Sequence, residues 1–257
     1  MKILVCIKQV PDMESKFKVA ADSRWYDTAD LAWRMNEYDE FAVEQAVLVK
    51  EQVGEADITV LSIGPDKVKE TIKKALAMGC DRGVHIADTE VSSREPFQIA
   101  GMIAEFARDK NFDLILTGMQ SQDRGSGQVG ILVAELLDLP GISTVVAFSL
   151  ADGRLELRRE LEGGVKARVA TGLPAVVTCQ LGLNNPRYPT LPNIMKAKKK
   201  ELITVGAADV LKVEARQQTA KLYFPEKKGG GLILEGEPAE VADRLITILK
   251  EKTAVLA

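Results

Sequence analysis

The run with the clearest chemical potential is Gly118-Met119-Gln120-Ser121-Gln122-Asp123-Arg124-Gly125-Ser126-Gly127-Gln128, which follows the apolar stretch Leu114-Ile115-Leu116-Thr117 and leads into a helical pattern from Gln128. Glycines let backbone N–H groups approach an anion closely, and a helix N-terminus adds partial positive charge. Ser126 and Gln128 can add side-chain hydrogen bonds, and Arg124 a full charge. The run matches neither Gly-x-Gly-x-x-Gly nor the Walker A pattern. Two readings stay open from these residues alone: a phosphate cradle, or a surface loop ending in a helix cap.

Other candidates are fewer. Cys6, Asn36 and Ile63 stand at or just beyond strand ends, or at a helix start, where a parallel sheet would converge them on the rim that carries the glycine loop. Asn36 also reads as a plain helix N-cap. Cys6, Cys80 and Cys179 are scattered, and His85 is the single histidine; this argues against a Cys/His zinc site and leaves a Ser–His–Asp triad dependent on a histidine flanked by Val84 and Ile86. No carboxylate pair, metal cluster or activated nucleophile stands out. The chain offers a place to hold a nucleotide without evident machinery for making bonds.

A net charge of −3 on 257 residues does not suggest bulk nucleic-acid binding. The lysines of Lys196-Ala197-Lys198-Lys199-Lys200 lack interleaved aromatic residues, which argues the same way. That run reads as a solvated face or, beside Leu191 in a proline-stiffened loop, as the rim of a docking patch. The apolar start Met1 to Ile7 is too short for a signal-peptide core, and no stretch reaches the ~20 apolar residues of a membrane span. The expectation is a soluble, cytoplasmic protein without direct membrane insertion.

The elements that must position these residues follow from apolar periodicity. Ile3 to Ile7, Ile58 to Ser62, Gly83 to Ile86, Leu114 to Thr117 and Ala175 to Cys179 read as buried strands. Between them, helices run from the Asn36 cap to Gly54, from an Asp66 cap to Gly79, from Glu95-Pro96 through Phe106, and from Gln128 through Leu136. Residues 11–35 read as a long polar excursion. Such alternation predicts an α/β fold: a Rossmann-like parallel sheet with helices on both faces, ligands sitting outside the strands' carboxyl ends. An added β-hairpin is expected over about 144–171, with turns at Ala151-Asp152-Gly153 and Glu162-Gly163-Gly164. From Asn184 the chain loses its core-like character. The prolines of Asn185-Pro186-Arg187-Tyr188-Pro189-Thr190-Leu191-Pro192 argue against a regular element there. The expected division is a nucleotide-binding domain over 1–205 and an extended C-terminal arm over 206–257, with a Gly229-Gly230-Gly231 hinge and an amphipathic helix from Pro238.

At this point the motifs resemble a known family. Asn185-Pro-Arg-Tyr-Pro-Thr-Leu-Pro-Asn-Ile-Met-Lys-Ala-Lys-Lys-Lys200 is similar to the signature of electron-transfer flavoprotein beta subunits, as are Lys2-Ile-Leu-Val-Cys-Ile-Lys-Gln-Val-Pro-Asp12, Met35-Asn36, Ser62-Ile-Gly-Pro65, Ala75-Leu-Ala-Met-Gly79 and the stretch Asp113 to Gly130. The similarity is collinear over nearly the whole chain. It implies a non-enzymatic electron carrier, pairing with a larger alpha subunit that the C-terminal arm embraces. It implies AMP as a structural ligand, contacted at Cys6, at Asn36, Glu37, Tyr38 and Asp39, at Ile63, and from Gly118 to Val129. FAD would be held mainly by alpha, with beta covering part of it near Met13, where many relatives have tyrosine. Pro189, Thr190, Leu191, Pro192, Ile194 and Met195 would meet an acyl-CoA dehydrogenase or similar donor, Leu191 entering a pocket on it, and a membrane quinone oxidoreductase would accept the electrons. Lys196 and Lys199 fall at positions methylated in mitochondrial relatives.

A bifurcating subgroup of that family holds a second FAD in place of AMP and an NADH site. Its Asp-Arg-Ala-Phe-Ala-Gly-like stretch is replaced here by Asp81-Arg82-Gly83-Val84-His85, which favours the AMP-binding carrier. A stand-alone adenine-nucleotide sensor of universal-stress type is a third reading, opposed by the proline loop and the long tail.

Overall fold

The computed structural model describes residues 1–226 and 229–253. It divides into two units, Met1–Leu222 and Tyr223–Ala257; positions 227–228 and 254–257 of the expected arm lie outside the described residues.

The first unit is built on a nine-stranded sheet. Strand β1 (Lys2–Cys6) is central, and its residues alternate between two cores. Ile3 and Val5 pack on one face, Leu4 and Cys6 on the other. That two-sided burial is why the stretch is continuously apolar. A two-stranded ribbon pairs β2 (Gln9–Pro11) with β3 (Trp33–Met35). Then come α1 (Glu37–Val53), β4 (Asp57–Gly64), α2 (Val68–Met78), β5 (Arg82–Ala87), α3 (Pro96–Ala107), β6 (Leu114–Gly118) and α4 (Val129–Leu136). Further on are β7 (Gly141–Ala151), β8 (Arg154–Glu160), β9 (Lys166–Gly172), β10 (Ala175–Cys179), α5 (Leu191–Ala197), β11 (Leu202–Gly206) and α6 (Ala207–Val210).

The sheet order is β11-β5-β4-β1-β6-β10-β7-β8-β9, parallel from β11 to β7 and antiparallel thereafter. This is the α/β architecture that alternation of strand and helix implies. Residues of α1 and α2 share one core, those of α3, α4 and α6 the other. The chain runs from β1 outward to β4 and β5, then returns to β6 on the opposite side of β1. Order therefore reverses at the β1/β6 boundary, where parallel sheets open a crevice at their carboxyl ends.

Several local expectations need correction. The polar excursion is not structureless: Trp33–Met35 pairs with Gln9–Pro11, and Val19 bridges Tyr26 within the intervening loop. Asp66 does not cap α2, which begins two residues later, and its carboxylate binds Lys69 Nζ at 2.7 Å instead. β7 starts at Gly141, three residues before the expected hairpin, because it pairs with the core strand β10 before turning outward. After Asn184 the chain, expected to lose its core-like character, returns to the sheet as β11, a short edge strand of strand-like composition (Leu202-Ile203-Thr204-Val205) paired with β5. Pro192 stands in the first turn of α5, where a missing N–H is tolerated, so the proline-rich stretch ends in a short helix rather than continuing irregularly.

The second unit contains α7 (Pro238–Lys252), which starts at the expected proline. No residue of α7 is buried, and Leu245 and Ile246 are exposed. No described helix is long and apolar enough to cross a membrane.

Candidate functional site

A cavity of about 310 Å³ opens at the carboxyl ends of β1, β4 and β6. Its wall includes Cys6, Asn36, Asp39 and Ile63 from the strand ends and the start of α1. The glycine loop contributes Gly118, Met119, Gln120, Ser121, Asp123 and Arg124, then Ser126, Gly127, Gln128 and Val129. Sequence-distant candidates thus converge on one crevice. Glu37, Tyr38, Gln122 and Gly125 stand behind this wall rather than in it, and Met13 lies outside it, exposed in the turn after β2.

The residues behind the wall shape the loop. Asn36 does not use its side chain as a helix cap. Its amide donates from Nδ2 to Gln120 O at 2.9 Å, and its Oδ1 accepts from Gln122 N at 3.0 Å. The cap reading of Asn36 is therefore replaced by a clasp on the loop. Gln122 Nε2 donates to Glu37 at 2.9 Å, and Gln120 Nε2 to the Tyr38 hydroxyl at 3.1 Å. Asp39 joins two strand ends: its Oδ2 accepts from Lys8 N at 2.6 Å and its Oδ1 from Gly118 N at 3.1 Å.

Glycine is required where Asp39 meets the loop. A Cβ on Gly118 would lie 2.2 Å from Asp39 Oδ1 and 2.8 Å from Tyr38 Cβ. Gly125 and Gly127 have φ of 61°, which side-chain-bearing residues seldom adopt. Among the described residues, the amides of Gly127, Gln128, Val129, Gly130 and Ile131 find no acceptor in the chain. They form the open first turn of α4 and its approach, the arrangement that receives an oxyanion.

Side-chain cations around the cavity are mostly committed. Lys8 Nζ holds Asp123 at 2.6 and 2.8 Å and Ser121 Oγ at 3.2 Å. Burial lowers its ammonium below the usual lysine value, opposed by the Asp123 charge. Arg94 pairs with Asp88 at 2.8 Å and Glu90 at 3.0 Å. Arg124 donates to the carbonyls of Arg94 and Ser92. Lys67 lies over the Trp33 ring, 3.4 Å from its centre. Lys8, Trp25, Trp33 and Lys67 all line the cavity, although local sequence did not mark them. The signal available was placement of both tryptophans in one polar excursion.

Burial pushes Asp39 up to about 7, against the hydrogen bonds from Lys8, Asn36 and Gly118 that favour its charge. A folded value above the unfolded one, about 4, means the fold binds the Asp39 proton more tightly. The resulting stability is fully present below about pH 4 and is lost as pH rises through about 7. Asp39→Asn should remove that component. The difference between wild-type and variant urea midpoints should then shrink steadily from pH 4 to pH 8; a constant difference would contradict the assignment.

The segment 184–200 forms a second cluster. Arg187 grips α1, with Nε 2.9 Å from Glu44 Oε2 and Nη1 2.6 Å from Glu51 Oε1. These hydrogen bonds hold its guanidinium pKa well above the ordinary value. Asn184 Nδ2 donates to Phe41 O at 3.0 Å. At the other end, Ala197 is buried and Lys200 Nζ donates to Leu76 O in the last turn of α2 and to Cys80 O just beyond it. Between these anchors Tyr188, Leu191, Ile194 and Met195 are exposed, Leu191 at 74%. Pro189 is half-buried, while Thr190, Pro192, Lys196 and Lys199 are exposed. Thr190 caps α5 by accepting from Asn193 N. The result is an apolar ridge with cations beside it, held by its two ends.

His85, by contrast, is fully buried in β5, its Nε2 2.8 Å from Gly64 O, a structural position. Among the described residues no group of three or more His, Cys, Asp or Glu side chains could hold a metal ion.

Comparison with known proteins places this geometry in context. The electron transfer flavoprotein domain matches residues 24–210. The chain is 38% identical to the electron transfer flavoprotein subunit beta of Bacillus subtilis, covering all of both proteins. It is 33% identical to that of Methylophilus methylotrophus, over 98% of each chain. With the human subunit it shares 35% identity, over 98% of this chain and 97% of the relative.

Proposed function

The chain belongs to the electron transfer flavoprotein family as a beta subunit, and from that premise we propose that its crevice holds AMP while the ridge at 188–195 docks an electron-donating dehydrogenase. Membership in this electron-carrier family also implies an alpha subunit as partner.

The observation that carries the AMP reading is the row of unpartnered amides at Gly127–Ile131, set at the topological switch point. Those amides, the α4 dipole and Lys67 are what remains for an anion once Lys8, Arg94 and Arg124 are satisfied within the protein. That supply suits one phosphate better than three. A cavity of about 310 Å³ is at the small end of the ~300–1,000 Å³ range of small-ligand sites, which suits a mononucleotide rather than a second FAD. Trp25, Trp33 and Ile63 supply the apolar surface against which an adenine ring is buried.

FAD, when bound mainly by alpha, supplies the redox chemistry. The exposed thioether of Met13 offers an apolar edge to cover part of it. The beta subunit's own work is to fix the alpha partner and present the ridge. In the proposed division of labour, residues 1–205 hold the nucleotide and the ridge; of the expected 206–257 arm, α6 stays in the core of the first unit, and the part that carries amphipathic α7, none of whose residues is buried, packs on alpha. The donor fits an acyl-CoA dehydrogenase, the acceptor a membrane quinone oxidoreductase, and the setting the cytoplasm.

Leu191 is the anchor in this reading: a large apolar side chain, 74% exposed, on a base held at both ends. Leu191→Ala should slow reduction of the complex by its partner dehydrogenase roughly thirtyfold, the value of a central interface anchor. Flavin content should stay at the wild-type level. Stopped-flow reduction at limiting donor checks this; an unchanged rate would remove the ridge from the docking site.

A further inference from the structure

Three separate stretches meet in the wall of the cavity, and Arg124 joins its own loop to the other two. It belongs to the glycine loop. Its Nη1 donates to Arg94 O at 2.9 Å and its Nη2 donates to Ser92 O. Its guanidinium lies over the Trp25 ring, 4.3 Å from the ring centre. Trp25 belongs to the 11–35 excursion and packs on Tyr26 at 4.5 Å, which in turn meets Phe17 edge-on at 5.4 Å.

The carbonyl catch is itself rigid. Ser92 lies in a single 3₁₀ turn, Val91–Ser93, and the following Arg94 is tied back to nearly buried Asp88 and to Glu90. Carbonyl oxygens at the end of such a turn carry partial negative charge and suit a guanidinium fork. Beside Arg124, Asp123 is fixed by Lys8, so the arginine projects from an anchored base. Trp25, Ser92, Arg94 and Arg124 all line the cavity.

We propose that Arg124 is a positioning residue that latches the 17–33 and 88–96 segments together over the cavity and thereby sets how slowly the bound nucleotide leaves. Because the guanidinium is satisfied by carbonyls and an aromatic face, it acts by closure and not as a counter-ion to phosphate. The inference rests on the AMP reading for its ligand, while its mechanical content concerns the chain alone.

The test uses the complete alpha–beta complex. Arg124→Gln removes the fork and the stack, and Trp25→Leu removes the stack without altering the glycine loop. Chase of bound AMP with isotopically labelled AMP should be faster by roughly tenfold or more in Arg124→Gln, given two charge-assisted hydrogen bonds and one cation–π contact. Trp25→Leu should give a smaller acceleration. In both variants hydrogen exchange should rise at residues 17–33 and 88–96, while FAD content stays at the wild-type level. Exchange rates and deuterium uptake equal to wild type in both variants would overturn the latch. Wild-type complex without an adenylate would count against the AMP reading instead, and deuterium uptake would then decide the latch by itself. If Arg124→Gln does not fold, Trp25→Leu carries the same two measurements.

Discussion

Replacing Gly118 with alanine should empty the nucleotide site and lower stability by about 3 kcal/mol, the upper range for a side chain forced into packed surroundings. The added Cβ would lie 2.2 Å from Asp39 Oδ1 and 2.8 Å from Tyr38 Cβ, so Asp39 or the end of β6 must move. Either displacement breaks the bridge in which Asp39 accepts from both Lys8 N and Gly118 N. The loop that follows is shaped from the same helix through Asn36 and Tyr38, so the open amides at 127–131 would lose their common orientation. Urea unfolding and adenylate assay of the purified complex check both halves. A normal midpoint together with a full complement of nucleotide would contradict the prediction.

The second large effect is expected at Arg187. Glu44 is nearly buried, and Arg187 supplies its charge partner through Nε and Nη2. Arg187→Ala leaves that carboxylate without a guanidinium, at a cost of about 3 kcal/mol. It also releases one end of the ridge that presents Leu191. Reduction by the donor dehydrogenase should therefore slow at least as much as in Leu191→Ala, although the Arg187 side chain is spent on Glu44 and Glu51 of α1. Arg187→Lys should restore the charge without the fork that reaches both Glu44 and Glu51, giving an intermediate stability. Wild-type midpoint and reduction rate in Arg187→Ala would show that the ridge does not depend on this anchor.

The parallel core was legible in the sequence because two-sided burial writes a strand as an unbroken apolar run. Ile3–Ile7 has that form, and Ile58–Ser62, Leu114–Thr117 and Ala175–Cys179 depart from it only by small hydroxyl residues that are themselves buried. The edge strand β11 is composed like a strand, Leu202-Ile203-Thr204-Val205, but it stands between the lysine run and a polar tail, with Ile203 and Thr204 exposed, and its pairing with β5 is what ties it to the sheet. β3 was hidden as well, since three residues paired with three others leave little periodicity to detect. At the site, the glycine loop announced itself through residue type. The partners that shape it could not, because Asn36 and Asp39 act across roughly eighty residues of sequence. Asn36 is instructive: its position before a helix has a sufficient local explanation as a cap, yet its side chain is spent on a long-range clasp. The roles of Trp25 and Arg124 likewise arise from the folding of the 11–35 excursion against the cavity wall, a tertiary event without a local signature.

The proposed function depends above all on receipt of a mononucleotide's phosphate by the unpartnered amides at the start of α4. Nucleotide analysis of the purified alpha–beta complex, released by acid and separated by chromatography, tests it most directly. One AMP and one FAD per heterodimer are expected. Two FAD without AMP, or flavin with no adenine mononucleotide at all, would contradict it.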